Sequence, residues 1–250
     1  MNIDLSKITR NNKALILAYD QGIEHGPTDF NDENVDPAKI VKIADSGYFT
    51  ALVLQKGVAE KYYDPRVNKV PLLIKLNGKT NLVKDQDPYS PQVCSVEEAV
   101  ALGAAAVGYT IYIGSEFESK MTKEFGQIEE EAHRRGLPVV AWMYPRGRNV
   151  PDEKDPKVVA YAARVGLELG ADMVKVNWPG EEGFRWVVKS AGRTSVVVAG
   201  GAKENLADFL AETKAILAAG GIGRAVGRNV WQAENPLEVS QKIAAVIWGN

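Results

Sequence analysis

The sequence has few of the residues on which many functional sites depend. Cys94 is the only cysteine among 250 residues, so no intramolecular disulfide can form, and we expect the protein to work in the reducing cytoplasm. His25 and His133 are the only histidines, which excludes a three-histidine zinc site but still allows a carboxylate site for magnesium. His133 lies in a run of charged residues, and we expect it to be solvated and without a role.

An excess of charge and a long apolar segment are also missing. The chain has 30 Lys and Arg against 32 Asp and Glu, a net charge of −2, which argues against a surface dedicated to nucleic acid or membrane. The longest uncharged stretch, residues 99–115, is 17 residues long and contains three glycines, so it is too short and too broken to cross a bilayer. We therefore expect no nucleic-acid partner, no membrane partner and no signal peptide in residues 1–10.

What the sequence does have is a regular alternation of short apolar runs and amphipathic stretches. Eight runs rich in β-branched residues end in polar residues or glycine, and they span residues 14–20, 51–55, 71–77, 105–112, 138–144, 173–178, 195–201 and 221–227. Seven amphipathic stretches typical of helices span residues 36–46, 95–102, 115–135, 155–169, 181–190, 204–218 and 236–248. Ser95 and Glu98 have capping-box spacing, and Gly136 followed by Pro138 is typical of a helix end.

Eight strands, all but the second followed by a helical stretch, predict a closed parallel (β/α)8 barrel, the TIM-barrel architecture of the α/β class. Dividing 250 residues by eight gives about 31 residues per unit, which suits one strand and one helix. A doubly wound open sheet is the alternative. Because no linker-like segment and no shift in composition interrupts the chain, we expect residues 1–250 to form a single barrel domain.

Two lysines within apolar runs are the first candidates for chemistry. Lys75 lies in the run LLIKLN and Lys175 in the run MVKVNW. Barrel enzymes hold their active sites at the carboxyl ends of the strands, and there a lysine that burial keeps neutral can attack a carbonyl carbon. An ion pair with an inward carboxylate such as Asp20 explains a lysine in a strand equally well. Residue spacing does not decide which lysine, if either, is the nucleophile.

Aromatic residues and glycines end other strands. Tyr144 and Trp142 share parity on the fifth run, so both should face the same side, where a phenol can exchange a proton with carbon or simply line a pocket. Gly200–Gly201 and Gly227–Arg228 follow the seventh and eighth runs. Barrels often bind phosphate there, which favours phosphate binding over two ordinary turns. The esterase, P-loop and dinucleotide fingerprints are absent or incomplete.

Five segments together resemble a known family. They are residues 20–27 (DQGIEHGP), 75–80 (KLNGKT), 108–112 (GYTIY), 142–147 (WMYPRG) and 225–232 (AVGRNVWQ). Their order and sequence are similar to those of the archaeal-type class I fructose-1,6-bisphosphate aldolases, the DhnA-like aldolase family. The resemblance extends over residues 14–232, nearly the whole chain.

The resemblance implies a role for each candidate. It makes Lys175 rather than Lys75 the Schiff-base lysine, Tyr144 the proton-transferring residue, Trp142 a residue that shapes the pocket, and Asp20 the strand-one carboxylate. It places one phosphate on the two glycine loops. The second phosphate requires cations at the opposite rim of the barrel. The phosphate-binding candidates are therefore Gly200, Gly201, Gly227 and Arg228 on one side, and Lys79, Arg146 and Arg148 on the other.

The resemblance also implies an activity. It is the reversible cleavage of fructose 1,6-bisphosphate to dihydroxyacetone phosphate and glyceraldehyde 3-phosphate, in glycolysis or gluconeogenesis, without a metal or other cofactor. The partners implied are a phosphosugar substrate and further copies of the chain, because members usually assemble into large rings. Two departures from the family pattern are the segment Asn177–Trp178–Pro179 after the lysine and Ala202 after the double glycine.

Three other activities remain open on the sequence. Relatives that make 2-amino-3,7-dideoxy-D-threo-hept-6-ulosonate or process a phosphorylated pentulose share the positions of Tyr144 and Lys175, although the segment DQGIEH favours the glycolytic aldolase. A phosphosugar isomerase would use a carboxylate base and no imine. A sugar-phosphate-binding protein without catalysis is the third.

Overall fold

Eight parallel strands close into a barrel in the computed structural model, which describes residues 3–83 and 86–249. The strands follow one another around the barrel in sequence order, and the first pairs with the eighth. They are β1 (Ala14–Ala18), β2 (Ala51–Gln55), β3 (Leu72–Lys75), β4 (Ala106–Ile113), β5 (Val139–Pro145), β6 (Met173–Val176), β7 (Ser195–Ala199) and β8 (Gly223–Val226). The predicted (β/α)8 barrel is thereby confirmed, and the doubly wound alternative is wrong.

Ten α-helices lie in the described part of the chain. They are α1 (Gly22–His25), α2 (Pro37–Ala44), α3 (Lys56–Tyr62), α4 (Val96–Ala101), α5 (Glu118–Arg134), α6 (Pro156–Glu168), α7 (Glu181–Ala191), α8 (Leu206–Ala218), α9 (Arg228–Trp231) and α10 (Pro236–Trp248). All seven predicted helices are present. Three helices were not predicted: α1 and α9, which have four residues each, and α3. Helix α3 starts directly after β2 and buries only Ala59, so it has no apolar stripe from which to predict it.

Side-chain caps begin several of the helices. Ser95 and Glu98 form the predicted capping box of α4, and each side chain binds the other residue's backbone N–H. Asp36 and Asp155 cap α2 and α6, both of which have proline in the first turn. Gly136, at a φ of +68°, follows the end of α5 as predicted. These local signals explain why the predicted helix limits agree with the structure.

Two separate apolar clusters stabilise the barrel. One cluster lies inside it and includes Ile16, Val53, Leu73 and Val197, which alternate along their strands with outward-facing residues. The other cluster lies between the barrel and the surrounding helices. The inner cluster is apolar up to Trp142 and forms the base on which the polar residues at the carboxyl ends of the strands lie.

His133 has structural contacts, contrary to the expectation that it is solvated. Its Nδ1 lies 2.7 Å from Glu129 Oε1 and its Nε2 lies 2.9 Å from Asp172 Oδ2. Asp172 also accepts a hydrogen bond from the backbone N–H of Val139, at 2.8 Å. The charged run hid this role because Asp172 is 39 residues away in sequence. The histidine therefore links α5 to the residues that begin β5 and β6.

The prediction that residues 1–250 form a single domain stays a prediction. Residues 1–2, 84–85 and 250 of that range lie outside the described residues. None of the described helices is both long and apolar enough to span a membrane.

Candidate active site

A pocket of about 260 Å³ opens at the carboxyl ends of the strands. It is lined by ten of the eleven site residues predicted from the sequence: Asp20, Lys79, Trp142, Tyr144, Arg146, Lys175, Gly200, Gly201, Gly227 and Arg228. Lys75 also lines it, and so does Asn177, which lies in the segment that departs from the family pattern. Arg148, the third cationic candidate for the second phosphate, does not line the pocket and pairs instead with Asp87 and Glu116. Residues that lie far apart in the sequence therefore meet in one cavity.

Lys175 lies on β6, directly opposite Trp142 of β5 in the parallel register. Its side chain is buried, and its ammonium nitrogen lies 5.2 Å from the centre of the indole ring. Burial lowers the pKa of Lys175, although Asp20 and Glu24 act in the opposite direction. Among the described residues, none accepts a hydrogen bond from its Nζ. Lys175 is therefore a buried amine with its nitrogen directed to the pocket and a larger neutral fraction than a lysine in water.

Lys75 is buried in the same pocket but is held differently. Its Nζ donates to the backbone oxygen of Asn77 at 3.0 Å and to Asn77 Oδ1 at 2.7 Å. Burial lowers its pKa to about 8, and its nitrogen lies 5.5 Å from the centre of the Trp142 ring. Because two oxygens already bind the ammonium group of Lys75, the geometry favours Lys175 as the free amine.

Trp142 forms the base of the pocket beneath both lysines. Its indole is 3% exposed and lies against Gly108 of β4, where a Cβ atom would overlap the ring. Within the described residues, its indole N–H has no hydrogen-bond partner. A glycine at position 108 therefore makes room for the aromatic ring, which explains part of the GYTIY segment.

Tyr144 and Asp20 complete the polar part of the pocket. Burial raises the pKa of Tyr144 well above its ordinary value, and the charge of Asp20 adds to this rise. The phenol therefore keeps its proton at neutral pH and can act as an acid. The Asp20 carboxylate lines the same pocket as Lys75 and Lys175, and its charge favours the charged forms of both amines.

The loops after β7 and β8 lie together at one side of the pocket. Gly201 has a φ of +66°, and Gly200 approaches the backbone of β8 so closely that a Cβ atom would lie 3.0 Å from Val226 Cα. Arg228 Nη2 donates to Gly201 O at 3.0 Å. The glycine backbone and the guanidinium group of Arg228 therefore lie at the same side of the pocket, and together they are suited to binding an anion.

Asn229, which was not predicted to be a site residue, fixes the shape of the loop after β7. Its Nδ2 donates to Gly200 O at 2.7 Å and to Ala202 O at 2.9 Å, and its Oδ1 accepts from Glu204 N at 2.9 Å. The only signal in the sequence was its place in the segment AVGRNVWQ, directly after Arg228.

Lys79 and Arg146 lie at another side of the pocket, where they meet Glu24, a carboxylate with no predicted role. Glu24 Oε1 is 3.3 Å from Arg146 Nη1 and 3.9 Å from Lys79 Nζ. Arg146 also pairs with Glu153 at 3.2 Å. Cationic side chains thus lie at two sides of the pocket, Arg228 at one and Lys79 with Arg146 at the other, and the buried Lys75 and Lys175 line it as well.

In the described part of the chain, no three His, Cys, Asp or Glu side chains come together so as to hold a metal ion.

Comparisons with known proteins agree with this geometry. The sequence profile of the DeoC/LacD family of aldolases matches residues 14–233. The chain is 50% identical to the class 1 fructose-bisphosphate aldolase of Thermoproteus tenax over 244 residues, which cover 96% of this chain and 91% of that one. It is 45% identical to the class 1 fructose-bisphosphate aldolase of Halobacterium salinarum over 246 residues, or 97% of this chain and 93% of that one.

A solved structure gives the same result. An archaeal fructose-1,6-bisphosphate aldolase, with its catalytic lysine covalently bound to the carbinolamine intermediate of the substrate, is 48% identical to this chain. The two structures superpose with a TM-score of 0.94 over 98% of each chain. The chain therefore belongs to the DeoC/LacD family of aldolases, and the resemblance to the archaeal class I fructose-bisphosphate aldolases is confirmed.

Proposed function

We propose that the protein is a class I aldolase that reversibly cleaves fructose 1,6-bisphosphate to dihydroxyacetone phosphate and glyceraldehyde 3-phosphate, with Lys175 as the Schiff-base residue. The observation that carries the proposal is the buried amine of Lys175 in a pocket that also holds a protonated phenol and cationic side chains at two sides. The high identity to proteins named class 1 fructose-bisphosphate aldolase supports the substrate.

In the first step, the neutral amine of Lys175 adds its lone pair to the C2 carbonyl carbon of the ketose. The carbonyl oxygen takes up a proton, and loss of water then gives an iminium ion. Because the iminium withdraws electrons, no metal is needed to polarise the carbonyl group. The lowered pKa of Lys175 serves this step, since only the unprotonated amine has a lone pair to donate.

In the second step, a base removes the proton of the C4 hydroxyl group. The electrons of the C3–C4 bond move to the iminium, glyceraldehyde 3-phosphate leaves, and an enamine remains on Lys175. Asp20 follows β1 and lines the pocket, and we assign to it the orientation of substrate hydroxyls, assistance in the carbinolamine step or compensation of the lysine charge. Trp142 supports the reacting carbons from below.

In the third step, Tyr144 donates its proton to the enamine carbon C3. Water then adds to the resulting iminium, and dihydroxyacetone phosphate is released as the amine is restored. The raised pKa of Tyr144 means that the phenol is protonated when the enamine forms. Reversal of these steps gives the condensation.

The two phosphates give the substrate its orientation. We assign the C1 phosphate to the glycine loops and Arg228, and the C6 phosphate to Lys79 and Arg146. Backbone N–H groups beside glycine and charge-assisted contacts from arginine both favour a phosphate dianion. We further propose that the protein acts in the cytoplasm, in glycolysis or gluconeogenesis, and that it assembles into a homo-oligomeric ring. The exposed Tyr161 and Trp186, on the neighbouring helices α6 and α7, are candidate contact residues.

Borohydride reduction in the presence of fructose 1,6-bisphosphate and EDTA tests the proposed reaction. The expected product is a dihydroxyacetone phosphate adduct on Lys175, located by peptide mass spectrometry, together with steady-state release of both triose phosphates. An adduct that forms only with another ketose phosphate would assign the protein to the related Schiff-base enzymes. Turnover of a phosphosugar without any adduct would instead indicate an isomerase.

Substitution of Asn229 tests the assignment of the C1 phosphate. In Asn229→Ala the β7 loop loses three hydrogen bonds, so we expect the KM for fructose 1,6-bisphosphate to rise by about 10-fold or more. Steady-state kinetics measure this change. The control is adduct formation with dihydroxyacetone, which has no phosphate and should react with Asn229→Ala as it does with the unchanged protein. Equal losses for both compounds would contradict the assignment.

A further inference from the structure

Glu24 occupies the position that the second phosphate is expected to take. Its Oε1 accepts a hydrogen bond from Arg146 Nη1 at 3.3 Å and one from the hydroxyl of Tyr112 at 3.3 Å. Lys79 Nζ lies 3.9 Å from the same oxygen. The carboxylate lines the pocket and is only 24% exposed, so it contacts both cations within the cavity.

The surrounding structure holds Glu24 in this place. It belongs to the short helix α1, and its backbone oxygen accepts a hydrogen bond from Asn81 N at 3.1 Å. Asn81 follows Lys79 in the same loop, and its Oδ1 accepts a hydrogen bond from Lys79 Nζ. The loops after β1 and β3 are therefore tied to each other around the pair of Glu24 and Lys79.

Glu24 and a bound phosphate group are both negatively charged, so the position of Glu24 affects phosphate binding. A phosphate dianion on Lys79 and Arg146 would lie within a few ångströms of the Glu24 carboxylate, where repulsion between the two anions weakens its binding. The same phosphate remains on the departing aldehyde after cleavage of the C3–C4 bond. Any weakening of phosphate binding at this rim therefore acts on the bisphosphate substrate and on the phosphorylated aldehyde product.

We propose that Glu24 is a specificity-determining residue that competes with the second phosphate for Lys79 and Arg146, and that this competition permits release of glyceraldehyde 3-phosphate. The proposal rests on the proposed function and deepens it. Uniformly tight binding of a substrate group lowers KM but does not accelerate chemistry, and it delays the release of a product that carries the same group. The Glu24 carboxylate weakens binding of the second phosphate while Lys79 and Arg146 remain in place.

The test compares Glu24→Gln with Glu153→Gln, a matched control. Glu153 also pairs with Arg146 but does not line the pocket. In Glu24→Gln we expect the KM for fructose 1,6-bisphosphate and the inhibition constant of glyceraldehyde 3-phosphate to fall by about fivefold, in line with the loss of one competing charge. The KM for fructose 1-phosphate, which has no phosphate at this rim, should stay unchanged, and Glu153→Gln should not show the fivefold fall.

Each other result overturns the proposal. An unchanged or raised KM for the bisphosphate in Glu24→Gln means that Glu24 does not compete with the phosphate. An equal fall in Glu153→Gln means that any loss of negative charge near Arg146 has the same effect. A parallel fall in the KM for fructose 1-phosphate means that the second phosphate is not involved. Failure of the unchanged protein to form an adduct on Lys175 would overturn the proposed function instead, so the two failures are distinguishable.

Discussion

Replacement of Lys175 by methionine is expected to abolish covalent trapping of the substrate and to lower kcat/KM by at least about 10⁴-fold, because the reaction loses its nucleophile. Methionine is similar in length and apolar, so it suits the buried position and leaves the barrel folded. Binding of the phosphorylated substrate should persist, since the glycine loops and the cations are unchanged. Borohydride trapping and coupled steady-state kinetics measure the two effects.

Lys75→Met is the control for this experiment, because it removes the other buried amine of the same pocket. In that variant we expect the adduct still to form on Lys175. An adduct that disappears in Lys75→Met and persists in Lys175→Met would reverse the assignment of the nucleophile.

The pH dependence of trapping gives a second measure of Lys175. Burial lowers its pKa, so the folded protein holds more neutral amine at a given pH than an ordinary lysine with a pKa of about 10.4. The rate of adduct formation should therefore rise as the pH increases through this lowered pKa and reach its plateau at a lower pH than an exposed lysine would. A rate that continued to rise to the pKa of a free lysine would contradict this account.

Tyr144→Phe is expected to lower kcat by about 10²- to 10⁴-fold, the usual contribution of a positioned proton donor. The ring and its packing remain, but the enamine must then take its proton from water. Because Lys175 is intact, borohydride trapping of the imine should persist while turnover is slow. This separation of covalent binding from turnover distinguishes a proton donor from a residue that only lines the pocket.

Tyr112→Phe is the matched control for Tyr144→Phe. Burial raises the pKa of Tyr112 as well, but its hydroxyl donates to Glu24 rather than facing the reacting carbons. We expect a much smaller change in kcat in this variant. A value of kcat for Tyr144→Phe within a factor of about two of the unchanged protein would exclude the phenol from proton transfer.

The barrel could be predicted because its signals are local. The β-branched runs, the capping box at Ser95 and the glycine at position 136 each act within a few residues, and the structure has the strands and helices where they indicate. The helix after β2 was missed because it buries a single alanine. The contacts of His133 could not be predicted because its partner Asp172 is distant in the sequence and is brought to it by the fold.

In the candidate site, too, local signals could be predicted and contacts between distant residues could not. Strand ends and glycine pairs indicated which residues enter the pocket, but they could not separate Lys75 from Lys175, which have the same parity in similar apolar runs. The distinction depends on Asn77, whose two oxygens bind Lys75 and whose Oδ1 also accepts a hydrogen bond from the backbone N–H of Thr110. Glu24 and Asn229 could not be assigned because their partners come from other loops.

The contact between Trp142 and Gly108 makes two positions on neighbouring strands depend on each other during evolution. While the indole is present, every residue larger than glycine at position 108 overlaps the ring, so a change at 108 alone is harmful. Once a smaller residue replaces the tryptophan, a void opens that a side chain at 108 could fill. The effects of the two substitutions should therefore not add, as is usual for residues in contact. We therefore expect substitutions at these two positions to be accepted in a fixed order during evolution, with position 142 changing before position 108.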